Sequence, residues 1–172
     1  MRLILRLFGG LVGVAALALA ALILGARFAD GPIAIIAGGP FRSGEWVADP
    51  EPDWSFARDI LEVELQLLEP ARSRTTWILE HEGRISIPSG YMKTPLGRLW
   101  KQWPVEAEKD GRAILRIGDR LYERQLVRIE AGPLLAPLTA ELGRKYLGGP
   151  GRVAPEAVTS GSLWLFELAP RS

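Results

Sequence analysis

The chain has 172 residues, with 21 Lys and Arg against 20 Asp and Glu, one His and no Cys. The missing cysteines exclude disulfides, thiolate catalysis and Cys-based zinc or iron–sulfur sites, and a single His excludes His-rich metal centres. The balanced charge lacks the basic excess that phosphate-backbone binding needs, so no nucleic-acid partner is expected.

Residues 7–26 (LFGGLVGVAALALAALILGA) carry no charge over twenty positions. At 1.5 Å per helical residue they span about 30 Å, the thickness of a hydrocarbon core. Arg2 and Arg6 precede the run and Arg27 follows it, partly offset by Asp30. The positive-inside rule then puts the N-terminus in the cytoplasm and the rest of the chain outside, in a periplasmic or other extracytoplasmic space. A cleaved signal peptide is the alternative. Its apolar region is usually 7–15 residues long, and Leu24 stands where a cleavage motif prefers a small residue. Gly9 and Gly13 form a GxxxG spacing that permits close packing of two such helices. Three segments are expected: an anchor at 1–27, a lead-in at 28–59 and a domain at 60–172. Without residues 1–30 the charge is 18 basic against 19 acidic over about 140 residues, enough for one sizeable core.

In the lead-in, Ile33 to Ile36 is a short apolar run between Gly/Pro breakers, read as a short strand or an ordered stretch near the membrane. Pro50 and Pro52 mark a loop, and Asp53 reads as the N-cap of a short helical turn. Trp46, Trp54 and Phe56 are expected to pack on the outside of the domain or to close one end of it, with a ligand wall or lipid contact as the alternative.

The domain begins with residues 60–68, where Leu61, Val63, Leu65 and Leu67 alternate with Glu62, Glu64 and Gln66, the period of a half-buried strand. Residues 74–80 (RTTWILE) are β-branched and aromatic and predict one strand. The sequence His81-Glu82-Gly83 predicts a hairpin turn into a strand at 84–88. Residues 91–103 (YMKTPLGRLWKQW) fit no period, and Pro95 and Gly97 argue against a continuous helix. Pro104 opens a short helix that Gly111 stops. Strands at 112–117 and 120–130 flank a Gly118-Asp119 turn. The second has two mixed faces: Leu121, Glu123, Gln125, Val127 and Ile129 on one, and Tyr122, Arg124, Leu126 and Arg128 on the other. A helix over 134–147 whose start is limited by Pro137, a loop at 150–160 and a closing strand at 162–168 complete the reading. The fold class is mainly β with flanking helices: a split antiparallel β-barrel preceded by one transmembrane helix.

The succession RTTWILEHEGRISIPSG (74–90), then WPVEAEKDGRAILRIGDRLYERQLVRI (103–129), resembles the pyridoxamine 5′-phosphate oxidase-like split-barrel superfamily, in particular its deazaflavin-dependent nitroreductase branch. The likeness covers residues 60–130. It implies a homodimer with FMN or a deazaflavin held in a cleft between subunits. It also implies an oxidoreductase in which the cofactor carries the hydride chemistry on a small organic substrate. By position, the resemblance assigns the cofactor's phosphate to Arg74 with Thr75 and Thr76, to Ser89 and Gly90, and to Lys101. Lys93 and Arg98 lie in an insert with no counterpart in the family. The family's helical Asn-Leu is Glu106-Ala107 here, a carboxylate where an amide is common.

The residues themselves leave two readings open. Arg supplies a planar fork and Lys a point charge to a phosphate, while Tyr91, Trp100 and Trp103 offer rings for an isoalloxazine-like system. Basic residues beside Trp equally form a solvated rim over buried indoles. The first reading is a membrane-anchored flavin- or deazaflavin-dependent reductase. The second is a cofactor-free, non-catalytic tethered barrel that binds a small apolar ligand or a protein partner, favoured by the scarcity of free flavin nucleotides outside the cytoplasm. His81 reads as a solvated turn residue, and catalytic residues are not assigned.

Overall fold

The computed structural model describes residues 2–49, 51–95, 97 and 101–171. Helix α1 (Arg2–Ala26) contains a 21-residue stretch, Arg6–Ala26, that is long and apolar enough to cross a membrane, with a mean hydropathy of 2.6. Apart from Ala26 at its C-terminal end, that stretch is not buried against the rest of the chain.

The strands are β1 (Glu45–Trp46), β2 (Glu62–Leu68), β3 (Ala71–Trp77), β4 (Leu79–His81), β5 (Arg84–Ser89), β6 (Arg112–Ile117), β7 (Arg120–Ile129) and β8 (Trp164–Pro170). They hydrogen-bond in the order β3-β2-β6-β7-β8-β5-β4, all antiparallel, and β1 adds in parallel to the start of β7. The two ends of that order, β3 and β4, are consecutive in the chain and separated only by Ile78. The sheet therefore curls until its edges meet at one residue, which makes a split antiparallel barrel. The helices are α2 (Trp103–Lys109), α3 (Leu135–Tyr146) and α4 (Glu156–Thr159), with a 3₁₀ turn at Trp54–Asp59.

Period-two alternation places Val63, Leu65 and Leu67 inside the barrel with Ile85, Ile87, Leu115, Tyr122, Leu126 and Phe166. Leu61, expected on that face, lies before the strand and is exposed. Of the two mixed faces of β7, the one bearing Tyr122, Arg124 and Leu126 points inward. Arg124 is fully buried at one end of the barrel, over the Trp54 ring at 4.6 Å and 3.1 Å from Glu51 Oε2. Trp54 thus closes a barrel end, while Trp46 and Phe56 remain exposed. Asp53 caps the 3₁₀ turn, accepting from Ser55 N at 3.0 Å.

Strand 74–80 is not continuous. It breaks at Ile78, where two residues of α3 hold the corner. Lys145 Nζ donates to Ile78 O at 2.8 Å and Ala57 O at 3.2 Å. The Tyr146 hydroxyl accepts from Ile78 N at 3.1 Å and lies 2.6 Å from Leu61 O. Burial pushes the Tyr146 phenol up to about 12, so it stays protonated. Leu135, Leu138 and Leu142 of α3 form a second apolar cluster with Leu79, Val158 and Leu165 outside the barrel. The Glu82–Gly83 turn has φ of 49° and 73°, the left-handed pair a two-residue hairpin needs. The expected loop at 150–160 contains α4. Pro95 and Gly97 are both helical rather than helix-breaking. Thr94 Oγ1 accepts from Gly97 N at 3.0 Å, and a proline is tolerated in a first turn because its missing N–H has no partner there.

The lead-in is a collar around β3. Gly38 pairs with Ser73, Arg72 donates to Gly38 O at 2.9 Å and to Ala37 O at 2.8 Å, and Ser73 Oγ donates to Gly39 O at 2.5 Å. A Cβ on Gly38 would fall 1.7 Å from Gly31 O, so only glycine fits. Asp30 accepts from Arg42 N and from the Ser43 hydroxyl, and pairs with Arg116, which also holds Glu64 at 2.5 Å.

Candidate functional site

Register fixes which side of β3 each residue occupies. Arg74 pairs with Leu65 and Thr76 with Val63, on the interior face; Thr75 pairs with Glu64 and Ser73 with Gln66, on the outer face. Arg74 therefore points inward under α2, its guanidinium 5.5 Å from the Trp103 ring centroid. Trp103 is buried and packs against Phe166 with ring centroids 5.7 Å apart. Arg74 Nε is sealed from solvent and has no hydrogen-bond partner, and no carboxylate reaches the guanidinium within ion-pair distance among the described residues. Burial is the main reason its pKa falls to about 10; Glu106 opposes that fall and Arg72 adds to it. This is a cation desolvated on one side without a counter-charge in contact, which an anion would stabilise.

The other residues predicted for the site do not all converge on Arg74. Thr75 faces away and spends its hydroxyl on Ala34 O at 3.0 Å. Ser89 is buried, and its hydroxyl donates to Met92 Sδ at 3.4 Å. Gly90 is half-buried and faces open space. Lys101 is half-buried, with its pKa lowered by burial and its ammonium 5.8 Å from the centroid of the exposed Tyr91 ring. Lys93 is exposed and its stem lies 3.5 Å from where a Cβ on Gly161 would stand. Arg98 and Trp100 lie outside the described residues. Arg72, a neighbouring cation that sequence reasoning did not select, is spent on the collar carbonyls. A cavity of about 770 Å³ lies on the outer face of β2, β3 and β6. Asp30, Glu62, Glu64 and Asp119 line it against Arg116 alone, and that excess of carboxylates repels an anion.

The protein is thus a mainly antiparallel split barrel with flanking helices and one N-terminal apolar helix. It is similar in structure to the conserved hypothetical protein Rv2991 from Mycobacterium tuberculosis, with a TM-score of 0.51 over 74% of this chain and 86% of that one at 14% identity. An F420 reductase superposes over 72% of this chain and 96% of its own with 13% identity and a TM-score of 0.41. The likeness to Rv2991 is one of fold. No protein-family model and no curated protein matches the chain in sequence.

Proposed function

We propose that the chain is a membrane-anchored split-barrel protein of the flavin- or deazaflavin-binding kind, which holds the anionic part of its cofactor at Arg74. Residues 7–26 form the anchor, with the N-terminus in the cytoplasm. The observation that carries this reading is the Arg74 guanidinium, whose Nε is sealed beside Trp103 with no partner. A structural arginine with this much burial would ordinarily be paired, as Arg116 is with Asp30 and Glu64. The residues therefore fit an anionic group. Arg74 would hold its phosphate, Lys101 would add charge, and Tyr91 or Trp103 would offer ring surface. When bound, the cofactor supplies hydride transfer to or from a small organic substrate. The chain's own part is to bind, orient and exclude water; its single His is half-buried at the end of β4.

The test is a titration of the detergent-solubilised full chain with FMN and with a deazaflavin cofactor, followed by absorbance and by cofactor fluorescence. Saturable binding of one of them, weakened at least tenfold by Arg74→Met, is expected because a charge-assisted contact contributes about 1.5–3 kcal/mol. No saturable binding of either cofactor would leave the barrel as a tethered module without one.

A further inference from the structure

We infer that the hairpin tip at residues 33–36, together with Phe28, is a second membrane contact that inserts into the bilayer interface beside the apolar helix and fixes how the barrel sits on it. The inference rests on the reading of α1 as a membrane anchor. Its partner is the lipid surface itself, and continuity is the reason. Ala26 ends α1, and Phe28 follows two residues later. The chain then turns back on itself, because Gly39 packs against the carbonyls of Arg27 and Ala29 and Gly38 against that of Gly31. The loop between them is consequently held next to the end of the helix.

Three large apolar side chains stand out from this short stretch. Phe28 is 73% exposed, Ile33 41% and Ile35 84%. A single exposed apolar side chain needs no explanation, but three within nine residues of the end of an apolar helix concentrate apolar surface there. The tip is not slack. Ile33 and Ile36 exchange both backbone hydrogen bonds, at 3.0 and 2.9 Å, and Ala34 holds a left-handed φ of 51°, unfavourable for a residue with a Cβ. Thr75 Oγ1 donates to Ala34 O and fastens the tip to β3. The backbone thus keeps Ile35 pointing outward although nothing in the fold covers it. Arg27 and Arg42, both exposed, flank the patch with charges that suit lipid phosphates.

The tip has a consequence for the site. Ser73 and Thr75 tie the collar to the outer face of β3, and Arg74 between them points to the inner face. Immersing the tip therefore sets the height and tilt of the Arg74 strand above the bilayer.

The absence of cysteine makes the test direct. Ile35→Cys, Leu17→Cys and Glu156→Cys are made singly in the full chain, each at an exposed position, and carry a nitroxide label. The proteins are placed in phosphatidylcholine–phosphatidylglycerol vesicles prepared with a nickel chelate on both sides. Collision rates with oxygen, which partitions into lipid, and with the chelate, which does not, are then compared. The expected result is an oxygen-to-nickel ratio at position 35 severalfold above that at position 156, an exposed residue of α4. A ratio at 35 equal to that at 156 would overturn the inference. Protection at 35 from both agents would overturn it as well, because it would mean that a second copy of the chain covers the tip. Position 17 reports separately on the anchor. A lipid signature at 17 with water at 35 means that the helix spans and the tip does not dip, whereas water at 17 removes the anchor itself. Ile33→Asp, which leaves the hairpin bonds in place, should lower the ratio at 35 without changing that at 17.

Discussion

A guanidinium withdrawn from water keeps its charge at a cost that a group of opposite sign offsets. Arg74 shows this by contrast with Arg124 on the inward face of β7: Arg124 has Glu51 at 3.1 Å, whereas Glu106 acts on Arg74 only from beyond contact distance. The sequence pointed to Arg74 through its place in an Arg-Thr-Thr strand, and the proposal retains it because its Nε is sealed without a hydrogen-bond partner. Ser89 went the other way. Its position at the end of a strand and before a glycine suits a phosphate, yet its hydroxyl is enclosed against the Met92 sulfur. Nothing in the sequence marks that contact, because it depends on how residues 91–95 fold back. Ser89→Ala is accordingly expected to leave cofactor affinity unchanged and to cost about 1 kcal/mol of stability or less, the loss of one weak hydrogen bond. The same titration and a urea melt measure both. A tenfold loss of affinity would return Ser89 to the site.

Among the elements, those with a strict period were legible. Val63, Leu65 and Leu67 on β2, the β6–β7 hairpin and the capped turn at Asp53 follow from alternation and turn chemistry. The corner at Ile78 did not, since RTTWILE mixes β-branched and aromatic residues without a break and the bend comes from α3, far away in sequence. Tyr146→Phe should therefore unfasten that corner. It removes the acceptor for the Ile78 N–H and is expected to cost about 1–3 kcal/mol, the penalty for a buried donor left unpaired, seen as a lower urea midpoint. The collar was equally hidden, because its Gly- and Pro-rich sequence has no period and is held by backbone carbonyls. Its charged lock is Asp30. Hydrogen bonds from Ser43 and the Arg42 amide, then Arg116, hold the carboxyl at about 2, below the ordinary 3.8. A depressed carboxylate contributes stability that is complete above the unfolded value and lost as the pH falls through the folded one. Proteolysis within residues 31–38 should thus stay slow down to about pH 4 and accelerate toward pH 2. In Asp30→Asn it should be fast already at pH 7. A pH-independent rate in the native chain would contradict the lock.

In the whole molecule, β3 joins the two parts on which the proposals rest. Its outer face carries the collar that follows the apolar helix, and its inner face carries Arg74 under Trp103. Fold class was readable from the strand, turn and glycine pattern, but the coupling of site and collar through one strand was not, because it requires knowing which face of β3 is inside. The account stands on Arg74 being an anion receptor rather than a structural cation, and the thermal stability of the native chain and of Arg74→Met, with and without cofactor, tests that most directly. Methionine keeps an unbranched stem and removes the guanidinium that faces Trp103. Arg74→Met without ligand is expected to melt no lower than the native chain, since a half-buried cation with no ion-pair partner is being removed. It also predicts that cofactor at a hundredfold over its Kd raises the native Tm by about 5–10 °C and leaves the variant nearly unmoved. A variant that melts well below the native chain, with no ligand shift in either, would contradict it.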